Sequence, residues 1–162
     1  MKKIVIIAMA VFCALSSMAL YAQDEIQYIQ NEWGKDRREL IRIGMGLSAA
    51  DSAKFWPVYD QYEAERQKLG RERLLILTEY TDNYSNMTNA KADELITRIL
   101  KNEAGLTQLQ QQYYPRFKTA LNAMQAARFL HIDSYLNTVI RERIQGALPV
   151  IGELDSLKTN KG

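Results

Sequence analysis

The sequence predicts an all-α protein, a single domain of four helices organised around a long central helix hairpin. Three observations lead there. Apolar residues recur at three- and four-residue steps along most of the chain, short polar residues stand ahead of those runs as helix caps, and the two longest runs are separated by TDNYSNMTNA, a turn by composition.

The chain opens MKKIVIIAMAVFCALSSMALYA. Lys2 and Lys3, the apolar run from Ile4 to Leu15 and the small residues leading to Ala22 have the layout of a secretory signal peptide over residues 1–22. Cleavage is predicted after Ala22, with Ala19 as the alternative site. An uncleaved membrane anchor is the competing reading, since Ile4 to Ala22 nearly reaches the roughly 20 apolar residues that span a bilayer. It ranks second because Ser16 and Ser17 interrupt the run and no stop-transfer charges follow. Phe12 before Cys13 makes a poor lipoprotein signal. The helical domain is assigned to residues 23–146 and a polar tail to 147–162.

Within the domain, Ile26, Ile29, Trp33, Leu40 and Ile43 predict a first helix over about Asp24 to Gly44, stopped by the glycines of GMG. Ser48 caps a second helix whose stripe is Phe55, Tyr59, Tyr62, Leu69, Ile76 and Tyr80, with a kink expected at Pro57. Thr88 caps a third, striped by Ile96, Ile99, Leu106, Leu109, Tyr113 and Phe117 and kinked or interrupted at Pro115. Asn122 caps a fourth, carrying Phe129, Ile132, Leu136, Val139 and Ile140, which Gly146 and Pro149 end.

One pattern occurs twice. LSAADSAKF (Leu47 to Phe55) and LNAMQAARF (Leu121 to Phe129) each set a Leu before a capping residue and a Phe two turns inside the helix. Leu47 and Leu121 are expected to pack back on the first turn, and Phe55 and Phe129 to face the core. The residues between the copies do not align, so the pair reads as one helix-starting device used twice and not as a repeat architecture.

Charge and cysteine usage exclude several function classes. Loss of the leader removes Lys2 and Lys3, leaving 21 − 2 = 19 basic residues against 19 acidic ones. A formally neutral chain gives no basis for general nucleic-acid binding or for attraction to an acidic membrane surface. Cys13, the only cysteine, leaves with the leader, so no disulfide, thiolate nucleophile or Cys-based metal site is expected. His131 is the sole histidine and reads as a core-edge residue near Ile132 and Tyr135. One His with scattered carboxylates such as Asp133 is too little for metal sensing, although an oxygen-only site stays open. No CxxCH, Glu-x-x-His pair, nucleophile elbow or phosphate-cradling glycine loop occurs. No enzyme and no cofactor are predicted.

The doubled helix start also carries a resemblance. Leu121, Asn122 and Gln125, and Leu47, Ser48 and Asp51, resemble the LTxxQ motif of the Spy/CpxP-like family of periplasmic stress proteins, with Asn and Ser in the Thr position and Asp51 in one Gln position. A literal LTQLQ at Leu106 to Gln110 lies inside the third helix and is set aside. FWPVY (Phe55 to Tyr59) and YYPRF (Tyr113 to Phe117) are closest to segments of uncharacterised secreted helical members. The resemblance implies a periplasmic, ATP-independent chaperone or envelope-stress adaptor: a thin cradle or open bundle of four helices, often a homodimer, that holds unfolded or partly folded envelope proteins. Membrane contact would come only through an uncleaved leader. The balanced charge departs from a markedly basic cradle.

Long helices in so short a chain cannot hide all their apolar surface in one bundle. Tyr59, Tyr62, Leu69, Leu74, Leu77 and Phe117 are therefore the candidate client-binding residues, with Arg66, Arg71, Arg73, Arg116 and Lys118 as neighbouring charges. Taken singly, each apolar one is more often core and each Arg more often part of a solvated face. Two further functions suit the same pattern: a regulatory partner of an envelope stress or metal sensor (a sensor or anti-sigma system), and a structural, self-assembling helical envelope protein.

Overall fold

The structure, a computed structural model, describes residues 35–146. They form α1 (Arg37–Met45), α2 (Ala49–Asn83), a 3-10 turn (Tyr84–Asn86), α3 (Asn89–Ala120) and α4 (Ala123–Gly146), with no strand among the described residues. The fold is all-α, with α2 and α3 as the predicted long hairpin. The predicted leader, residues 24–34 of the predicted first helix, and the predicted tail lie outside the described residues.

The caps are where the sequence puts them. Ser48 Oγ accepts from Asp51 N at 3.1 Å, Thr88 Oγ1 from Lys91 N at 3.2 Å, and Asn122 Oδ1 from Gln125 N at 2.9 Å. Each satisfies one of the amides that a helix start leaves without an intrahelical partner, and is worth about 1 kcal/mol. Neither proline interrupts its helix, so the interruption considered at Pro115 does not occur.

The described part of α1 departs from expectation in its start, in the place of Gly44 and in its buried face, whereas its stop falls within the predicted GMG. It begins at Arg37, where extended Asp36 caps it by accepting from Glu39 N at 2.7 Å. Its stop is Gly46, in the left-handed conformation at φ 56°, where a side chain would be strained. Gly44 is inside the helix for a different reason: a Cβ there would lie 2.9 Å from Cδ1 of Ile132, so its small size lets α1 approach α4. Its buried face is Arg37, Ile41 and Met45, while Ile43, expected in the stripe, is 50% exposed.

α2 packs along α3, α4 packs on α3, and α1 packs on α4. The core lies at the end of the bundle where α2 and α4 begin. Phe55, Tyr59, Tyr62, Tyr113, Phe117 and Phe129 are all fully enclosed. The rings of Phe117 and Phe129 are 4.3 Å apart, and Tyr62 stands edge-on to both Tyr113 and Phe129 at 5.5 Å. Burying one such side chain contributes about 1.5–3 kcal/mol. Well-oriented ring pairs add about 0.5–1.5 kcal/mol.

The helices are unequal. α2 and α3 have 35 and 32 residues, but α4 has 24 and α1 has 9. On α3 the stripe predicted through Ile96 is displaced: Leu95 and Asn102 are buried, whereas Ile96 and Leu100 are 53% and 59% exposed. Residues 96, 100 and 103 share one side of a helix. Glu103 of that set meets Arg141 of α4 at 3.3 Å. Ile96 and Leu100 thus lie on the Glu103 side of α3, toward the hairpin turn.

Candidate functional site

Sequence periodicity puts polar residues on the stripes as well as apolar ones, and these form a joint inside the bundle. Asp133, on the Phe129–Leu136 face of α4, has no exposed surface. Its carboxylate takes Arg37 Nη2 at 2.5 Å, the Tyr62 hydroxyl at 2.5 Å, Asn137 Nδ2 at 3.1 Å and Gln110 Nε2 at 3.3 Å. Arg37 also donates to Asn137 Oδ1 at 2.8 Å and faces Glu63 at 3.6 Å, while Glu63 holds Arg66 at 2.8 Å. All four helices contribute. A charge this deep is tolerated only when paired and hydrogen-bonded. Burial first, and Asp133 beside it, push the Tyr62 phenol well above its ordinary range, so it stays a protonated donor. The Tyr59 hydroxyl is buried nearby without a hydrogen-bond partner, and burial, then Glu63, push it up as well.

The six predicted client-binding residues divide. Tyr59, Tyr62 and Phe117 are 1%, 0% and 0% exposed, and as core they offer no surface to a client. The reason is the packing of their rings against Phe55, Tyr113 and Phe129. Leu69, Leu74 and Leu77 are half-buried on α2 farther along the hairpin. Of the neighbouring charges, Arg66 is buried, Arg71 and Arg73 are half-buried, and Arg116 and Lys118 are exposed. Arg116 lies 4.5 Å over the Tyr113 ring and donates to Gln61 at 2.6 Å.

Leu69 and Leu74 line a cleft between α2, α3 and α4, walled also by Leu106, Ile140 and Ile144. Three guanidinium groups border it, those of Arg66, Arg73 and Arg141. Arg73 and Arg141 share a single carboxylate, Glu103, at 3.2 and 3.3 Å. Arg73 Nε is buried without a hydrogen-bond partner. Burial, then the neighbouring Arg141 charge, lower the Arg73 pKa. Asn102 closes the floor by donating to the Leu69 carbonyl at 2.9 Å.

The doubled motif forms its own contact. Gln125 Nε2 reaches Asp51 Oδ2 at 3.4 Å, which joins the fifth residue of one copy to the fifth of the other. Leu47 and Leu121 pack against the core. His131 is exposed and not at the core edge, with Tyr135 also 59% exposed. Among the described residues no three His, Cys, Asp or Glu side chains gather as a metal-ligand group. No helix among them is long and apolar enough to cross a membrane.

The joint and the cleft were missed by sequence reading because a stripe is read for apolar residues. On α2 the four-and-three spacing 55, 59, 62, 66, 69, 73, 76 is unbroken if Arg66 and Arg73 count as members. Asn102 and Asp133 occupy equivalent places on α3 and α4. A polar residue in phase with a stripe was the available signal.

No family model, curated protein or solved structure matches this chain.

Proposed function

We propose that this protein is a periplasmic, ATP-independent binding protein of the Spy/CpxP-like kind, which holds unfolded or partly folded envelope proteins on an apolar helical face. The observation that carries the reading is the apolar side chains near the turn of the hairpin: Leu77, half-buried on α2, with Ile96 and Leu100 more than half exposed on α3. Leu77 follows Leu74 by three residues and Gly70 by seven, so it continues on α2 the side that the cleft presents to α4. Aliphatic side chains bordered by charged ones suit extended, chemically varied segments, because apolar burial is non-directional and asks for no fixed partner geometry. The ion pairs of Glu79 with Lys91 and Arg98, at 3.0 and 2.9 Å, lie on the opposite sides of the two helices and leave these side chains uncovered.

The test is light scattering from a chemically denatured, unrelated protein diluted into buffer containing residues Gln23 to Gly162 without nucleotide. Scattering that falls in proportion to added protein, for at least two dissimilar clients, supports the reading. Unchanged scattering with a folded, helical protein refutes general client holding. Binding of one defined partner alone would favour the regulatory reading, and burial of Ile96 and Leu100 in a stable oligomer would favour self-assembly.

A further inference from the structure

We infer that residues 24–33 of this chain dock in the cleft between α2 and α4, as an acidic amphipathic segment covering its apolar wall and its arginines. The inference is independent of client holding, since it leaves Leu77, Ile96 and Leu100 uncovered.

Four observations converge on that occupant. The first is placement. α1 runs antiparallel to α4, with Gly44 against Ile132 and Arg37 bonded to Asp133 and Asn137. Asn137 itself lines the cleft, so the start of α1 lies beside the cleft's Asn137 end. The second is reach. From Asn137 to Ile144 is about 10 Å along α4, and ten residues cover about 15 Å as a helix and more if extended.

The third is charge. Arg73 and Arg141 divide one carboxylate between them, and Arg73 Nε is buried with no acceptor. The segment DEIQYIQNEW carries Asp24, Glu25 and Glu32 and no Lys or Arg. Acids brought to this cleft meet two guanidinium groups that share a single carboxylate, in a site partly shielded from water, where such pairs are stronger than at the surface. The fourth is apolar match. Ile26, Ile29 and Trp33 fall at helical spacing, against a wall that includes Leu69, Ile140 and Ile144. The tail after Gly146 also starts near the cleft, but Pro149 and Gly152 break any such stripe in it.

Trp33 is the reporter. In Trp56→Phe protein from Gln23 onward, Trp33 is the only tryptophan, and its acrylamide quenching is measured in buffer and in denaturant. Docking predicts quenching several-fold weaker in buffer than in denaturant. Replacing Asp24, Glu25 and Glu32 with Lys should return it close to the denatured value with helicity unchanged, and Arg73→Glu with Arg141→Glu should do the same. If Trp56→Phe fails to fold, the parent signal minus that of Trp33→Phe supplies the reading. If the arginine variant fails to fold, the segment variant, which alters no described residue, decides alone. Three outcomes overturn the inference: Trp33 quenched as freely in buffer as in denaturant, protection that survives both charge reversals, and protection that disappears on dilution, which would make a second copy the occupant.

Discussion

Phe55 and Phe129, each the ninth residue of a copy of the doubled helix start, meet edge to face with ring centroids 5.3 Å apart. The same device that begins α2 and α4 therefore also sets their register, since the two starts face each other across the core. Phe129 touches Phe117, Tyr59 and Tyr62 as well. Phe129→Ala is expected to cost about 3–5 kcal/mol, enough to unfold a large fraction of a marginally stable domain. Urea denaturation followed by circular dichroism checks this, and a loss below about 1 kcal/mol would remove Phe129 from the centre of the core.

Arg37 and Asp133 make the second prediction. Asp133→Ala removes the closest carboxylate from the buried Arg37 guanidinium, leaving Glu63 at 3.6 Å and Asn137 at 2.8 Å, and should cost about 3 kcal/mol, as should Arg37→Met. The double variant should cost less than the sum of the two, because each single change already breaks their pairing. Strict additivity in the double-mutant cycle would mean that the two do not interact.

Tyr62 and Tyr59, three residues apart and equally enclosed, differ in one bond. Tyr62 donates to the Asp133 carboxylate and Tyr59 has no acceptor. Tyr62→Phe should lower stability by about 1.5–3 kcal/mol, the range for a hydrogen bond to a charged group. Tyr59→Phe should leave it within about 0.5 kcal/mol of the parent, or raise it, because a buried hydroxyl without a partner is removed. Equal costs in thermal unfolding would contradict this arrangement.

Acid should loosen the hairpin near its turn. Hydrogen bonds from Lys91, then Arg98, hold Glu79 below its ordinary carboxylate value of 4.5, and Lys91 does the same for Glu94. A carboxylate with a depressed folded pKa contributes stability above its unfolded value of about 4.5 and loses it as the pH falls through the lower folded one. Amide hydrogen exchange over residues 79–98 should accelerate, relative to the core amides around Phe129, on going from neutral pH to below that value. Glu79→Gln should reduce the change, and added salt should weaken it. Exchange in this region that tracks the core at every pH would count against these pairs.

Much of this architecture is legible in the sequence, for a physical reason: caps and apolar periodicity are local signals. Ser48, Thr88 and Asn122 were identifiable because each stands directly ahead of a periodic run. The burial of Tyr59, Tyr62 and Phe117 was legible only in part: each stands on a stripe and taken singly reads as core, but a stripe does not show how far along a long helix its partners extend. Among the described residues, the shorter α1 and α4 pack on the near end of the hairpin, where the aromatic core lies. Arg37 is further from view. Its role depends on Asp133, 96 residues away, and nothing local to either residue announces the pair.

The exposed hairpin side can be tested directly by measuring the affinity of a fluorescently labelled, permanently unfolded polypeptide for the parent protein and for Ile96→Glu/Leu100→Glu. Both substitutions are at exposed positions, so the variant should keep the parent's helicity and unfolding midpoint. Client holding on this face predicts binding by the parent and at least a tenfold weaker affinity for the folded variant, about 1.4 kcal/mol. Equal affinity in the two proteins would place any client elsewhere, and no binding by the parent would contradict the proposed function itself.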